Sequence, residues 1–402
     1  MSDDIARARR AVQAAFCASL VGIGLARFAY TPLIPSLIVA GWLTPQAAAS
    51  LGAANLAGYL AGALCARPLA ARMGTVSALR GMMVLAGLSF FACAWPVSPG
   101  WLLGWRFAAG LAGGVIMVLA APAVLPHVPP ARRGWAGGLI FAGVGTGIAL
   151  SGTLVPLLLQ AGVVATWCGL GVLALGLAWT GWHGWPQGAP VAADPLPAVP
   201  PAVAIRPGLA LAGLVAAYAL NAVGLVPHML FLVDFVVRGL GRGLAAGAID
   251  WVLFGIGAVL GPLLLGWLAD RIGFRAALRL GFLVQALAAG LPVVADGPAA
   301  LVLSSLVVGA FVPGIVALVL GRVQALLPDP AARSIAWRRA TVGFAIGQAA
   351  AAYGFSTLFA AGAGHAILFA LAAGALVLAF AVDLVTDPRP AQGGAPCSSQ
   401  TR

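Results

Sequence analysis

Apolar residues occupy most of the chain in long runs, and short polar breaks containing proline, glycine or arginine separate these runs. A helix needs about 20 consecutive apolar residues to cross the hydrocarbon core of a bilayer. The pattern therefore predicts an all-α membrane protein with twelve transmembrane helices, which we number spans 1 to 12. The predicted spans cover 12–39, 47–70, 76–95, 99–124, 135–160, 164–183, 208–235, 245–268, 276–294, 299–326, 336–361 and 365–385.

Residues 184–206 interrupt this pattern between spans 6 and 7, because they are rich in proline and alanine. We interpret them as a linker. The predicted division of the chain is an N-terminal six-helix bundle at 1–183, the linker at 184–206, a C-terminal six-helix bundle at 207–386 and a tail at 387–402. The first apolar run is too long for the core of a signal peptide, so we expect it in the mature protein.

The two predicted bundles share glycine and arginine positions that recur after about half the chain. Most of them recur at a constant offset of 199 residues, and two recur one residue further on. The pairs are Gly58 and Gly257, Gly62 and Gly261, Arg72 and Arg271, Gly74 and Gly273, Arg80 and Arg279, Gly110 and Gly309, and then Gly143 and Gly343, and Gly147 and Gly347. A half-length repeat in a polytopic membrane protein indicates two pseudo-symmetric bundles that move against each other, as in secondary transporters.

Composition supports the membrane assignment. The chain is 62% hydrophobic and 8% charged, with a mean hydropathy of +1.03, so a water-soluble fold would have almost no polar surface to expose. The lipid bilayer is therefore an expected partner. All basic residues are arginine and all acidic residues are aspartate, while alanine, glycine and proline are abundant. This usage is typical of GC-rich codons and favours a bacterial host.

The distribution of arginine predicts the orientation. The N-terminal tail and the loops after spans 2, 4, 6, 8 and 10 carry most of the arginines, whereas the opposite loops carry only Arg238 and Arg242. The arginines of the first group are Arg7, Arg9, Arg10, Arg67, Arg72, Arg80, Arg132, Arg133, Arg206, Arg271, Arg275, Arg279, Arg333, Arg338 and Arg339. By the positive-inside rule, both termini should be cytoplasmic in a multi-pass protein of the bacterial inner membrane.

The net charge of +12 is explained by this topology and not by a basic domain. Because the arginines are scattered at membrane edges, we expect no nucleic-acid partner. The five cysteines have neither paired nor metal-ligand spacing. The sequence also lacks a phosphate-binding loop and a nucleophile-and-base motif, so we expect no cofactor or metal, no ATP-driven pumping and no enzyme activity.

Two loops carry related motifs. After span 8 the chain reads Gly-Trp-Leu-Ala-Asp-Arg-Ile-Gly-Phe-Arg at 266–275, which resembles the G-x-L-a-D-R-x-G-R-R signature of the major facilitator superfamily. The corresponding segment after span 2, at 67–74, has Ala71 where the signature has its acid. The resemblance implies a gating cluster of Arg72, Asp270, Arg271 and Arg275 that holds the cytoplasmic side closed in one state. The alternative is that these arginines only fix the topology.

Two spans extend the resemblance over 12–385. Span 4 contains Arg106 followed by Gly110 and Gly113, which is similar to the second motif of the superfamily. The span 1 segment 22–35 is similar to the YbfB/YjiJ-type branch of its bacterial transporters. Membership implies the major facilitator fold and alternating access, with spans 1, 4, 7 and 10 around a central cavity.

Charged residues inside predicted spans indicate where a substrate binds, because a charge there costs at least ~2.5 kcal/mol unless it is paired or hydrated. Arg27 lies roughly 22 Å from the cytoplasmic end of span 1 at 1.5 Å per residue, too deep to reach water easily. The predicted substrate-binding residues are Arg27, Tyr30, Asn55, Arg106, Asn221 and Gln348. The alternatives are a structural ion pair for Arg27, a side chain extended to the interface for Arg106, and contacts that hold helices together for Asn55 and Gln348.

Span 7 contains the predicted proton-coupling residues, His228 and Asp234. Both can titrate, and Pro227 removes a helix hydrogen bond beside them, as the prolines of span 1 do. The alternatives are a hydrogen-bonded packing role for His228, and salt bridges from Asp234 or Asp250 to the arginines at the outer face.

The sequence thus predicts a secondary active transporter that works as a monomer and moves a small organic solute by alternating access, coupled to protons. Two buried arginines suggest an anionic or carboxylate-bearing substrate. One alternative is a proton-driven exporter of amphipathic compounds, although span 5 lacks the Gly-Pro pair of the antiporter motif. Another is a membrane sensor or scaffold that transports nothing, although no segment of the sequence is long and polar enough for a sizeable soluble domain.

Overall fold

The computed structural model describes residues 2–129, 132–186, 207–327 and 329–387. Within these ranges the chain is helical and contains no strand, which confirms the all-α prediction. Eleven of the described helices are long and apolar enough to cross a membrane. The helices of spans 2 to 12 are Pro45–Met73, Thr75–Cys93, Pro99–Val124, Arg133–Leu159, Val163–Gly181, Pro207–Asp234, Gly243–Ile272, Phe274–Val294, Pro298–Leu326, Pro330–Ala360 and His365–Thr386.

Span 1 is a broken helix and is the predicted span that is not among these eleven. It consists of an α-helix, a π-helical turn, a short 3₁₀ turn and a second α-helix, which cover Ser2–Ser19, Leu20–Leu25, Thr31–Leu33 and Ile34–Val39. Pro32 and Pro35 lie after the break and cannot donate backbone hydrogen bonds to the preceding turn. Arg27 therefore lies in an irregular part of the backbone.

Span 7 differs from the predicted symmetry with span 1. Its helix continues through Pro227 and ends in a π-helical turn at Phe235–Gly239. A single proline is accommodated by its neighbours in the membrane, whereas span 1 combines two prolines with Gly22 and Gly24. The expectation that span 7 mirrors the break in span 1 was wrong for the helix itself.

The repeated glycines make equivalent contacts in the two halves of the chain. A Cβ atom at Gly58, Gly62 or Gly110, or at their counterparts Gly257, Gly261 and Gly309, would collide with the backbone of the neighbouring helix, so only glycine permits the observed approach at these six positions. In the first half Gly58 meets Phe107 and Gly62 meets Leu111, and in the second half Gly257 meets Leu306 and Gly261 meets Ala310. The repeat therefore reflects the packing of span 2 on span 4 and of span 8 on span 10.

We call the end with the loops after spans 2, 4, 8 and 10 the Arg-rich end, and the opposite end the Arg-poor end. At the Arg-rich end, Gly74 and Gly273 terminate spans 2 and 8 with φ angles of 85° and 81°. Side chains with a Cβ rarely adopt such angles, so both tight turns depend on glycine.

Spans 5 and 8 pack closely along the seam between the halves. Gly145 and Gly152 of span 5 lie against the backbone of span 8, and Gly255 of span 8 lies against Ala149. Trp251 donates its indole N–H to the Ser151 hydroxyl across this seam at 2.9 Å. Small residues thus bring the two halves into direct contact. The linker residues 187–206 and the tail residues 388–402 lie outside the described part, and the exact division of the chain stays a prediction.

Candidate functional site

The Arg27 guanidinium lies at the junction of the two halves, in an aromatic and thioether environment. Its central carbon is 4.8 Å from the ring centre of Tyr59 in span 2 and 5.2 Å from that of Phe28. Its Nη2 is 3.9 Å from the Met229 sulfur of span 7. Arginine binds ring faces favourably, but a thioether is a weak acceptor. The guanidinium therefore keeps most of its hydrogen-bonding capacity.

Gln348 brings span 11 to the same place. Its Nε2 lies 3.5 Å from the Met229 sulfur, its side chain is buried, and its Oε1 has no hydrogen-bond partner among the described residues. The Met229 carbonyl accepts a 2.5 Å hydrogen bond from the Thr31 hydroxyl of span 1. We call the group of Arg27, Phe28, Tyr59, Met229 and Gln348 the Arg27 site. Both halves of the chain contribute to it.

No carboxylate forms an ion pair with Arg27 in the part of the chain that the structure describes. Its Nε also has no hydrogen-bond partner there. Four other partly buried arginines each have an aspartate partner; these are Arg238, Arg275, Arg279 and Arg322. An unpaired charge in a membrane span is costly and is retained mainly where function needs it. Of the predicted residues, Arg27 and Gln348 are thus brought together.

Both Nη groups of Arg106 donate to the backbone of span 1, whereas its Nε has no hydrogen-bond partner and no carboxylate pairs with it among the described residues. Its Nη1 donates to the Ala26 carbonyl at 2.8 Å and its Nη2 to the Arg27 carbonyl at 3.4 Å. These carbonyls lie where the helix breaks. In a regular α-helix the Thr31 N–H would bond to the Arg27 carbonyl, but here it bonds to the Phe28 carbonyl. The arrangement supports a role in holding the break that positions Arg27, and not direct contact with a substrate.

Tyr30 and Asn55 also support this framework. The Tyr30 hydroxyl donates to the Ala48 carbonyl at 2.8 Å, and the Tyr30 ring lies 4.5 Å from the Arg106 guanidinium carbon. The Asn55 amide donates to the Arg106 carbonyl at 3.0 Å. Both side chains are buried. This geometry favours the alternative that they hold spans 1, 2 and 4 together.

Asn221 and His228 make their side-chain contacts inside the second half. The Asn221 amide donates to the Gln285 side-chain oxygen of span 9 at 2.5 Å. His228 Nε2 and the Ser304 hydroxyl of span 10 are 2.8 Å apart, and that hydroxyl donates to a span 9 carbonyl. All four side chains are fully buried. The contacts favour packing roles between spans 7, 9 and 10.

Asp234 is held by two partners at the Arg-poor end. Both of its carboxylate oxygens accept hydrogen bonds from Arg238, one turn later in the chain, and Oδ2 lies 2.9 Å from His365 Nε2 of span 12. The salt-bridge alternative for Asp234 is therefore present in the structure. The sequence analysis missed His365, since nothing in a separation of 131 residues indicates contact with Asp234.

Asp250 differs from Asp234 because it is buried without an ion pair. It is 6% exposed and forms no hydrogen bond or ion pair within the described ranges. Arg238 is occupied by Asp234, and Arg242 acts on Asp250 only through longer-range attraction. The predicted salt bridge of Asp250 is thus absent from this conformation.

The predicted gating residues are not clustered in this conformation. Arg72, Asp270 and Arg271 are exposed, and the Arg271 guanidinium lies 4.2 Å from the Trp267 ring centre. Arg275 instead belongs to a charge cluster in which Arg275 and Arg322 meet Asp387 while Arg279 meets Asp383 at 2.7 Å. The gating assignment stays a prediction.

Apolar side chains from both halves close the seam between the Arg27 site and the Arg-poor end. The space between them is a cavity of about 10 Å³, near the smallest volume that holds one water molecule. It is lined by Ile34, Ile38, Pro45, Ala49, Leu230, Phe231, Asp234, Arg238 and Phe359. The cavity found on this part of the seam is therefore too small for an organic substrate.

Comparison with known protein families identifies one match over most of the chain. The family described as "Uncharacterised MFS-type transporter YbfB" matches residues 19–384. No curated protein matches the sequence.

Two solved structures are similar to the whole chain. One is described as "Crystal structure of D-xylose-proton symporter", with a TM-score of 0.73 and 16% identity, and covers 93% of this chain and 96% of that one. The other is the xylose transporter XylE from E. coli in a partially occluded inward-open conformation, with a TM-score of 0.72 and 15% identity. The match covers 98% of this chain and 100% of that one. At these identities the likeness shows the major facilitator fold alone.

Proposed function

The chain belongs to the YbfB-type family of major facilitator superfamily transporters, and from this premise we propose that it moves a small organic anion across the bacterial inner membrane by alternating access. The observation that carries the proposal is the unpaired Arg27 charge at the junction of the two halves. A substrate carboxylate supplies the partner that the described protein residues do not.

The Arg27 site is well placed to couple binding to the movement of the halves. Arg27 and Tyr59 belong to the first half, whereas Met229 and Gln348 belong to the second. An anion bound to Arg27 that also touches Gln348 favours the state in which the halves are close, because it binds that state better. We take the Arg-poor end to be periplasmic, so the seam closed here is the periplasmic one.

We further propose that transport is coupled to protons through Asp250. A coupling group must bind its proton with different affinity in the two states. Asp250 is a buried carboxylate without a partner, whereas Asp234 is neutralised by Arg238 and His365. The fold is also that of a D-xylose-proton symporter, which supports the same mode of energy coupling.

A second candidate is export of amphipathic compounds. The observation that favours it is the apolar character of the surroundings of Arg27, which consist mainly of Phe28, Tyr59 and Met229. In that case the rings and the thioether bind the substrate, and the charge of Arg27 is dispensable.

A ligand screen on the purified transporter tests the first candidate against the second. Thermal unfolding is measured with a panel of carboxylates and with the neutral amide of each one, because a ligand that binds the folded state raises its stability. We expect stabilisation by carboxylates only, and its loss in Arg27→Gln. Arg72→Gln, at an exposed arginine, is the matched control and should respond as the parent does. Equal stabilisation by the amides would contradict anion transport and favour the exporter.

A further inference from the structure

The Arg27 site offers one positive charge. The other guanidinium in the neighbourhood belongs to Arg106, and its two Nη groups are bonded to the carbonyls of Ala26 and Arg27. A substrate with two carboxylates would have to bury one of them without a partner, and a buried unpaired charge is strongly unfavourable. The site therefore suits a monoanion.

The walls of the site are mostly apolar. The Phe28 and Tyr59 rings flank the guanidinium, and Phe28 in turn lies 6.1 Å from the ring centre of Trp251. Met229 supplies a thioether, a soft group that adapts to different apolar shapes. A polyhydroxylated substrate would leave several hydroxyl groups unpaired here, and each unpaired hydroxyl weakens binding. The apolar walls therefore suit an aromatic or branched aliphatic body.

One further polar group of the site is available to a ligand. Gln348 is 2% exposed, and its Oε1 has no hydrogen-bond partner among the described residues. Its Nε2 touches the same Met229 sulfur as the Arg27 guanidinium does. The two polar groups are thus separated by one thioether, and a compact substrate can reach both.

We infer from the single cation, the aromatic and thioether walls and the free Gln348 oxygen that the substrate is a compact amphipathic monocarboxylate carrying at most one neutral hydroxyl or amide group. This inference rests on the proposed function and narrows it. It also accounts for the apolar surroundings that favoured the second candidate, because the substrate itself is amphipathic.

The test uses the full-length transporter and five probes: benzoate, 4-hydroxybenzoate, benzamide, terephthalate and gluconate. We expect benzoate and 4-hydroxybenzoate to bind at least about 10-fold more tightly than the dicarboxylate or the polyhydroxy acid, because each of these buries groups that the site leaves unpaired. The parent should prefer 4-hydroxybenzoate over benzoate, and Gln348→Leu should remove that preference, because the oxygen that accepts the hydroxyl hydrogen bond is lost.

A gain of function provides the second arm of the test. Gln348→Lys adds a second cation beside Arg27, so it should shift the preference toward terephthalate. Retained cooperative unfolding shows that each variant is folded. Tight binding of terephthalate or gluconate to the parent, abolished by Arg27→Gln, would overturn the inference of an amphipathic monocarboxylate and leave anion transport standing. Binding of benzamide as tight as that of benzoate, unaffected by Arg27→Gln, would overturn both.

Discussion

Glutamine in place of Arg27 is expected to weaken substrate binding and to raise the thermal stability of the substrate-free transporter. The charge costs at least ~2.5 kcal/mol in a membrane span, and the two ring contacts return roughly 0.5–1 kcal/mol each. The free energy of unfolding of the variant should therefore be about 1 kcal/mol higher than that of the parent. This corresponds to a rise in unfolding temperature of roughly 2–4 °C for a bundle of this size. Two charge-assisted hydrogen bonds to a carboxylate, at about 1.5 kcal/mol each, make the loss of affinity about 100-fold.

Glutamine in place of Arg106 should have the opposite effect on stability. Arg106 satisfies the carbonyls of Ala26 and Arg27 at the break of span 1. Losing both bonds costs about 2 kcal/mol for each carbonyl, or about 4 kcal/mol together. This loss exceeds the ~2.5 kcal/mol regained by removing the charge from the membrane span. The free energy of unfolding of Arg106→Gln is therefore expected to be about 1–2 kcal/mol lower than that of the parent. Arg106 is thus a matched control for Arg27, since both are arginines inside spans of the same half.

Both variants are measured by thermal unfolding in detergent and by counterflow of labelled benzoate in proteoliposomes. Arg27→Gln should unfold at a higher temperature and show no counterflow above background. Arg27→Lys should also be impaired, because the planar fork is lost although the charge remains. If Arg27→Gln is destabilised as strongly as Arg106→Gln while counterflow is normal, Arg27 is a structural residue and the site assignment fails.

Three further predictions concern coupling, packing and topology. Asp250→Asn should abolish accumulation driven by a pH gradient but preserve counterflow, and full accumulation by the variant would remove Asp250 from the mechanism. Gly261→Ala should lower the unfolding temperature, because its Cβ meets the Ala310 carbonyl. Gly266→Ala in the same helix has open space around its Cβ and should be neutral or stabilising. Equal effects of the two substitutions would contradict the packing argument. A reporter in 236–244 should read periplasmic and one at the C-terminus cytoplasmic, and a periplasmic C-terminus would refute the orientation.

The fold could be predicted because it depends on features that act along the chain. Runs of apolar residues must be helices in a membrane, since no water is available for unpaired backbone groups. The repeated glycines were equally informative, because Gly62 and Gly261 each allow the same close approach in their own half. The break in span 1 was visible in its prolines, but the continuity of span 7 through Pro227 depends on its neighbours and was not.

The candidate site could be predicted only in part. The burial and charge of a residue can be inferred from its own stretch of sequence, whereas its contact partners lie far away along the chain. Arg27 stands out in the sequence as a deep charge. The contacts that distinguish the two arginines are distant in sequence. Arg106 binds backbone carbonyls about 80 positions away, and Arg27 contacts the sulfur of Met229 about 200 positions away. His365 was missed for the same reason, as was Met229, which carries no charge that would draw attention.

The repeat also differs between the two halves at the position of Arg106. The position equivalent to Arg106, at the offset of 199, is Ser305 in span 10. Span 1 is broken beside Arg106, and its Ala26 and Arg27 carbonyls accept hydrogen bonds from that arginine, whereas the counterpart span 7 runs as one helix through Pro227. A buried arginine needs such acceptors to be tolerated. The break and Arg106 therefore depend on each other, and together they fix the backbone from which Arg27 reaches across the seam to Met229.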